Sequence, residues 1–173
     1  MTENRKLEIM ESIATVAQDS AEAGNLDSTT YADVFEFARF MIHFRKEHPV
    51  LRKPTNPASC GFADISYHHG RKWNADCGNN ARLIGLLYAG KNDDDEDDLV
   101  YVGVNSYWEP LQTTFPDPPA GFEWVLIADT ARGGKLPIDE VITTGCYELS
   151  PRSVIIIIVK KKDSEEILER DAE

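Results

Sequence analysis

The stretch Ser153-Val154-Ile155-Ile156-Ile157-Ile158-Val159-Lys160 decides the fold. Six β-branched aliphatic residues in a row suit a pleated strand better than a helix. The run does not alternate with polar residues, so both faces of the strand are expected to be covered. Working outward, turn residues recur from residue 61 onward at the intervals of an antiparallel β domain. Strands are expected over 61–68, 81–89, 99–105, 123–129 and 153–160, with a weaker one over 145–149. Asn79-Asn80, Ala89-Gly90, Pro116-Asp117-Pro118-Pro119 and Gly133-Gly134 supply the connections. No long helix separates these strands, which favours a two-sheet sandwich over a parallel sheet.

The residues before the strands read as helices. Leu7, Met10, Ile13, Ala14 and Ala17 form one stripe over 4–18, and Gly24-Asn25 stops it or brackets a turn. A second helix is expected from Ser28 to Thr30, which suit its N-cap, to about Glu47, ahead of the helix-breaking Pro49. Its polar residues Asp33, Glu36, Arg39, His43, Lys46 and Glu47 make one narrow stripe, and nearly everything else on it is apolar. So wide an apolar surface implies burial on more than one side. The fold expected is α+β, with N-terminal helices packed on an antiparallel β-sandwich. Its divisions are a helical segment over 1–50, the β domain over 51–160 and an acidic tail over 161–173. The tail invites a short helix capped by Asp163 with Glu166.

Thirty acidic residues against eighteen basic ones give the 173-residue chain a formal charge of −12. Phosphate-dominated binding works against such a field, so nucleic acid is not an expected partner. No stretch approaches the roughly 20 apolar residues of a membrane span, and the polar start through Lys6 lacks a secretory apolar core, so no membrane contact and a cytoplasmic location are expected. Cys60, Cys77 and Cys146 are an odd number without a CxxC pair, and His43, His48, His68 and His69 lack zinc-binding spacing, so neither a disulfide framework nor a metal or other cofactor is expected. The acidic run Asn92 to Asp98 lacks the glycine and the downstream glutamate of an EF-hand, and reads as a solvated hairpin tip.

No nucleophile elbow, Walker loop or dinucleotide fingerprint is present. Asp64 and Asp129 are the strand-associated acids to watch, with turn or cap duty as the simpler account. A more distinctive constellation is Asp64-Ile65-Ser66-Tyr67-His68-His69-Gly70 with Trp73, followed by Asn105-Ser106-Tyr107-Trp108-Glu109-Pro110. Aromatic faces stack on the C–H faces of sugar rings while neighbouring polar groups bond hydroxyls. Tyr67, His68, His69, Trp73 and Trp108 are therefore candidate carbohydrate contacts, packing within a core or interface being the alternative.

The same segments carry a family resemblance. Phe35 to Arg52 resembles the last barrel helix and its exit in isoamylase-type glycogen debranching enzymes of the α-amylase superfamily. The block Asp64-Ile65-Ser66-Tyr67-His68-His69-Gly70 resembles that family's D-[IV]-[ST]-W-H-G, with Tyr67 in place of Trp and one extra His. Val102 to Pro116, with Asn105, Trp108, Glu109 and Pro110, resembles its N-x-x-W-E-P strand and turn, and Trp124, Asp129-Thr130 and Leu149 to Val154 resemble its last two strands. The resemblance implies the C-terminal β-sandwich of such an enzyme, connected with α-glucan metabolism. It also implies that the catalytic carboxylates lie on barrel strands upstream, so no catalytic residue is carried over and the chain alone is expected to be inactive. Expected partners are an α-glucan, a catalytic barrel domain or a second copy; the rival readings are a stand-alone carbohydrate-binding module and a structural partner that docks by its apolar helix onto another protein or onto itself.

Overall fold

The computed structural model describes residues 28–74, 81–133 and 136–162. The expected helix over 4–18, the Asn79-Asn80 turn, Cys77 and most of the acidic tail lie outside the described residues. The chain divides into two units at Phe44/Arg45.

One α-helix is present among the described residues, α1 (Ser28–Glu47), with Arg45 and Lys46 in its last turn, where cations meet the negative end of the helix dipole. Its solvent face is broader than the expected polar stripe, for Val34 and Ile42 are 62% and 61% exposed. Phe37, Phe40, Met41 and Phe44 form the covered stripe at helical spacing, with Phe44 buried and its ring stacked 6.0 Å from that of Phe40. A 3₁₀ turn, Pro49–Leu51, follows.

The rest is antiparallel β structure: β1 (Ile65–His68), β2 (Leu83–Lys91), β3 (Asp97–Asn105), β4 (Leu111–Thr114), β5 (Phe122–Asp129), β6 (Glu140–Ile142), β7 (Cys146–Leu149) and β8 (Ser153–Lys161). Six strands form one sheet in the order β1-β2-β3-β8-β5-β6, and β4 pairs with β7 in a separate ribbon. β8 lies in the interior of the large sheet between β3 and β5, and Ile155 to Ile158 are all buried. That position explains the unbroken aliphatic run, since alternate side chains of β8 enter two different covered faces.

The register separates those faces. Leu83, Leu87, Leu99, Tyr101, Leu126, Ile155 and Ile157 point to the inner face and share one cluster with Leu149 of β7, Phe115 and Trp124. Tyr101 Oη and Thr113 Oγ1 of β4 lie 2.8 Å apart, and the Trp124 indole N–H donates to the Pro116 carbonyl at 2.7 Å. Burial of these two polar tips is thereby satisfied.

On the outer face, Val100, Val125 and Ile158 are buried, while Ile65, Tyr67 and Ile84 remain 45%, 52% and 40% exposed. Residues 50–56 cross this face at the far end of β2, where a Cβ on Gly90 would run into Thr55, Val50 and the Asn56 carbonyl. Glycine is needed there because backbone and side chain approach too closely for any larger residue. His48 Nδ1 lies 2.6 Å from the buried Asp98 Oδ1, fastening the chain before the 3₁₀ turn to β3. No described helix is long and apolar enough to cross a membrane.

Candidate functional site

β1 alternates about the sheet, so consecutive residues of the histidine-rich block part company. Tyr67 stands on the outer face, half-exposed, whereas His68 turns inward and is fully enclosed. Its imidazole packs between Trp73, at 5.1 Å between ring centroids, and Tyr101, at 5.8 Å. The Trp73 backbone N–H donates to His68 Nδ1 at 2.8 Å, and Ser66 Oγ lies 2.9 Å from Nε2. An Nδ1 that accepts carries no proton, so the ring is the neutral Nε2–H tautomer and donates to Ser66. This is the reverse of a Ser–His catalytic pair, in which the imidazole must accept from the serine hydroxyl. Burial, helped by the neighbouring His69, holds the His68 pKa below its ordinary value, in keeping with a neutral ring.

Of the five candidate carbohydrate contacts, His68 is thus a packing and turn-holding residue without a surface to offer. His69 is part-buried, with Nδ1 2.9 Å from the Leu83 carbonyl. Trp73 is 53% exposed with φ of 63°, and its ring meets Phe62 edge-on at 5.1 Å. The structure brings His68 and Trp73 together and sends Tyr67 to the opposite face.

Trp108 belongs to a different group. The register that pairs Leu83 with Asn105 continues outward, where the Arg82 carbonyl accepts from both the backbone N–H and the hydroxyl of Ser106, each at 2.9 Å. This places the Arg82 guanidinium 4.0 Å from the centre of the Tyr107 ring and 5.8 Å from that of Trp108. The Tyr107 and Trp108 rings are themselves 4.0 Å apart, and Trp108 is 65% exposed. Beneath them Asn105 is buried. The two N–H groups of its Nδ2 are shared among the carbonyls of Glu109, Leu149 and Ser150, at 2.9, 3.2 and 2.9 Å, and its Oδ1 accepts the Tyr107 N–H at 2.9 Å. Sequence reading passed over Arg82; extending the β2–β3 hairpin one residue beyond its last pair would have found it.

Of the two strand-associated acids, Asp64 sits at the entry to β1 and Asp129 holds the turn after β5. Asp64 Oδ1 accepts the Ile65 N–H at 2.9 Å; Asp129 accepts the Ala131 N–H on Oδ1 and the Tyr147 hydroxyl on Oδ2, at 2.9 and 2.8 Å. In the acidic hairpin, Asn92 Oδ1 accepts the N–H groups of Asp94 and Glu96, an Asx-type turn. Its carboxylates face cations: Asp93 meets Lys53 at 2.8 Å, Glu96 meets Lys161 at 2.5 Å and Asp97 meets Lys91 at 3.2 Å. The Lys53 and Lys161 contacts hold Asp93 and Glu96 below the usual carboxylate range. Burial works against ionisation of Asp97, yet the Ser59 N–H and Lys91 hold it low as well. Among the described residues, no group of three or more His, Cys, Asp or Glu side chains is placed to hold a metal ion.

No protein-family profile matches the chain. It is similar to the isoamylases of Pseudomonas amyloderamosa and Pseudomonas sp. (strain SMP1), 30% identical over an alignment of 124 residues that covers 65% of this chain and 16% of each relative. The match thus spans about a sixth of those relatives' length. A solved GH30 endoxylanase structure from Clostridium papyrosolvens C71 overlaps 49% of this chain and 21% of its own, at 18% identity and a TM-score of 0.30.

Proposed function

We propose that this chain is a non-catalytic domain of α-glucan metabolism, a β-sandwich related to the C-terminal region of isoamylase-type debranching enzymes. The observation that carries the reading is the 30% identity with isoamylase over 124 residues. Two further facts support it. The described strands are antiparallel throughout, and residues of the six-stranded sheet and of the β4–β7 ribbon share one core, as two layers of a sandwich do. The outer face of the large sheet carries Ile65, Tyr67 and Ile84 half-open to solvent, an apolar surface suited to another polypeptide. That partner is a catalytic barrel or a second copy of the chain. The divisions 1–50, 51–160 and 161–173 belong to this proposal, as does a cytoplasmic setting.

The acids nearest the resembling motifs have local backbone partners: Asp64 accepts the Ile65 N–H at the entry to β1, and Asp129 accepts the Ala131 N–H in the turn after β5. The test is hydrolysis: the purified chain releases no reducing ends from glycogen or pullulan, and turnover by the chain itself overturns the reading. Native mass spectrometry then reads whether the outer face is closed by self-association.

A further inference from the structure

We infer that Trp108 and Arg82, on the turn pinned by Asn105, form a contact site for a neutral sugar chain, an α-glucan if the reading above holds, on which this inference rests. Among the described residues the indole is the most exposed of the large hydrophobic side chains, at 65%. It is exposed on a rigid mount, since four hydrogen bonds of the buried Asn105 side chain fix the turn from below. An aromatic face held in place before binding loses little freedom when a ligand settles on it.

The chemistry beside the indole selects the ligand. Arg82 rests its guanidinium on the Tyr107 ring, and among the described residues it has no ion-pair partner. Its N–H groups are therefore available to hydroxyl oxygens of a ring stacked on Trp108, 5.8 Å away. An apolar platform with a few convergent donors is the pattern that binds a saccharide. A polyanion is disfavoured by Glu109 next in sequence and by the net charge of −12, against which Arg82 and Arg152 are the basic side chains beside the turn. A protein interface is disfavoured because the flanking Ser106, Glu109, Pro151 and Arg152 are exposed and mostly polar, without the apolar surround that excludes water from a hot spot. Trp73 is the weaker candidate, because it is less exposed, at 53%, and packs on two rings, Phe62 and His68, where Trp108 packs on Tyr107.

The test is native affinity electrophoresis of the full chain through gels holding glycogen, a mixed-linkage β-glucan, or no polysaccharide, with each mobility divided by that in the plain gel. Wild type is expected to be retarded by glycogen. Trp108→Ala is expected to weaken that retardation about tenfold, Arg82→Ala to weaken it less, and Trp73→Ala to leave it unchanged. Circular dichroism confirms that each variant is folded, and Arg82→Ala carries the test should Trp108→Ala fail to fold. Undiminished retardation of both folded variants overturns the site while leaving the glucan reading in place. Retardation by the β-glucan alone overturns the α-glucan assignment, and absence of retardation in every gel overturns the site, with the non-catalytic reading then judged on the hydrolysis assay alone.

Discussion

His68 accepts the backbone N–H of Trp73 on Nδ1 at 2.8 Å, so an enclosed imidazole holds the turn that carries a half-exposed indole. The bond requires a neutral ring, and the folded-state pKa of His68 lies below its ordinary 6.5. Unfolded chain therefore binds more protons than folded chain in the window below 6.5, and this residue's contribution to stability, complete above that pH, is lost as the pH falls through the window. The thermal midpoint is expected to drop on acidification with a red shift of tryptophan emission, and His68→Gln is expected to flatten that pH dependence. An identical pH profile in the variant would remove His68 as its source.

Gly85 sits opposite His68 in the β1–β2 register, and a Cβ there would run into the Tyr101 ring and hydroxyl and the His68 carbonyl. Gly85→Ala is expected to cost about 1–3 kcal/mol in urea unfolding, because the Tyr101–Thr113 hydrogen bond and the inner core must shift together. Gly133→Ala meets nothing within 4 Å and serves as the control, within about 0.5 kcal/mol of wild type.

Asn105→Ala leaves three carbonyls without their donor and the Tyr107 N–H without its acceptor. A loss of about 2–3 kcal/mol is expected in the same unfolding experiment. Asn105→Asp offers a comparison, since it keeps the acceptor for Tyr107 while turning a carboxylate oxygen towards carbonyls; it is expected to be no more stable than the alanine variant.

The acidic hairpin is expected to give no saturable heat with calcium at physiological salt. Its carboxylates already meet Lys53, Lys91 and Lys161, and gathering them around an ion would separate those pairs and crowd like charges. A micromolar site in calorimetric titration, abolished by Asp93→Asn, would contradict this.

Six of the eight strands among the described residues are legible in the sequence because each carries an apolar or alternating run, and β8 announces its double burial through Ile155 to Ile158. β4 and β6 are not legible. Leu-Gln-Thr-Thr and Glu-Val-Ile are short and mixed in character, and they become strands through pairing with β7 and β5 rather than through local preference. The aromatic constellation is visible as composition, but its division is not: alternation along β1 sends Tyr67 and His68 to opposite faces. The role of Arg82 arises from a hairpin register and lies more than 20 residues from Trp108 in the chain. Asp129 holds the turn that its type favours, with Oδ1 accepting the Ala131 N–H, while the Asp64 side chain accepts the N–H of the residue that follows it.

We propose that this β domain belongs to α-glucan metabolism without cleaving the polymer itself. Retaining hydrolysis needs two carboxyl groups about 5–5.5 Å apart across a cleft that distorts the sugar, and a carboxylate committed to a turn supplies almost none of that rate. The direct measurement is the release of reducing ends when the purified chain is incubated with pullulan and with glycogen. The buffer baseline is expected on both. Turnover that survives repurification and disappears in Asp64→Ala or Asp129→Ala would contradict it.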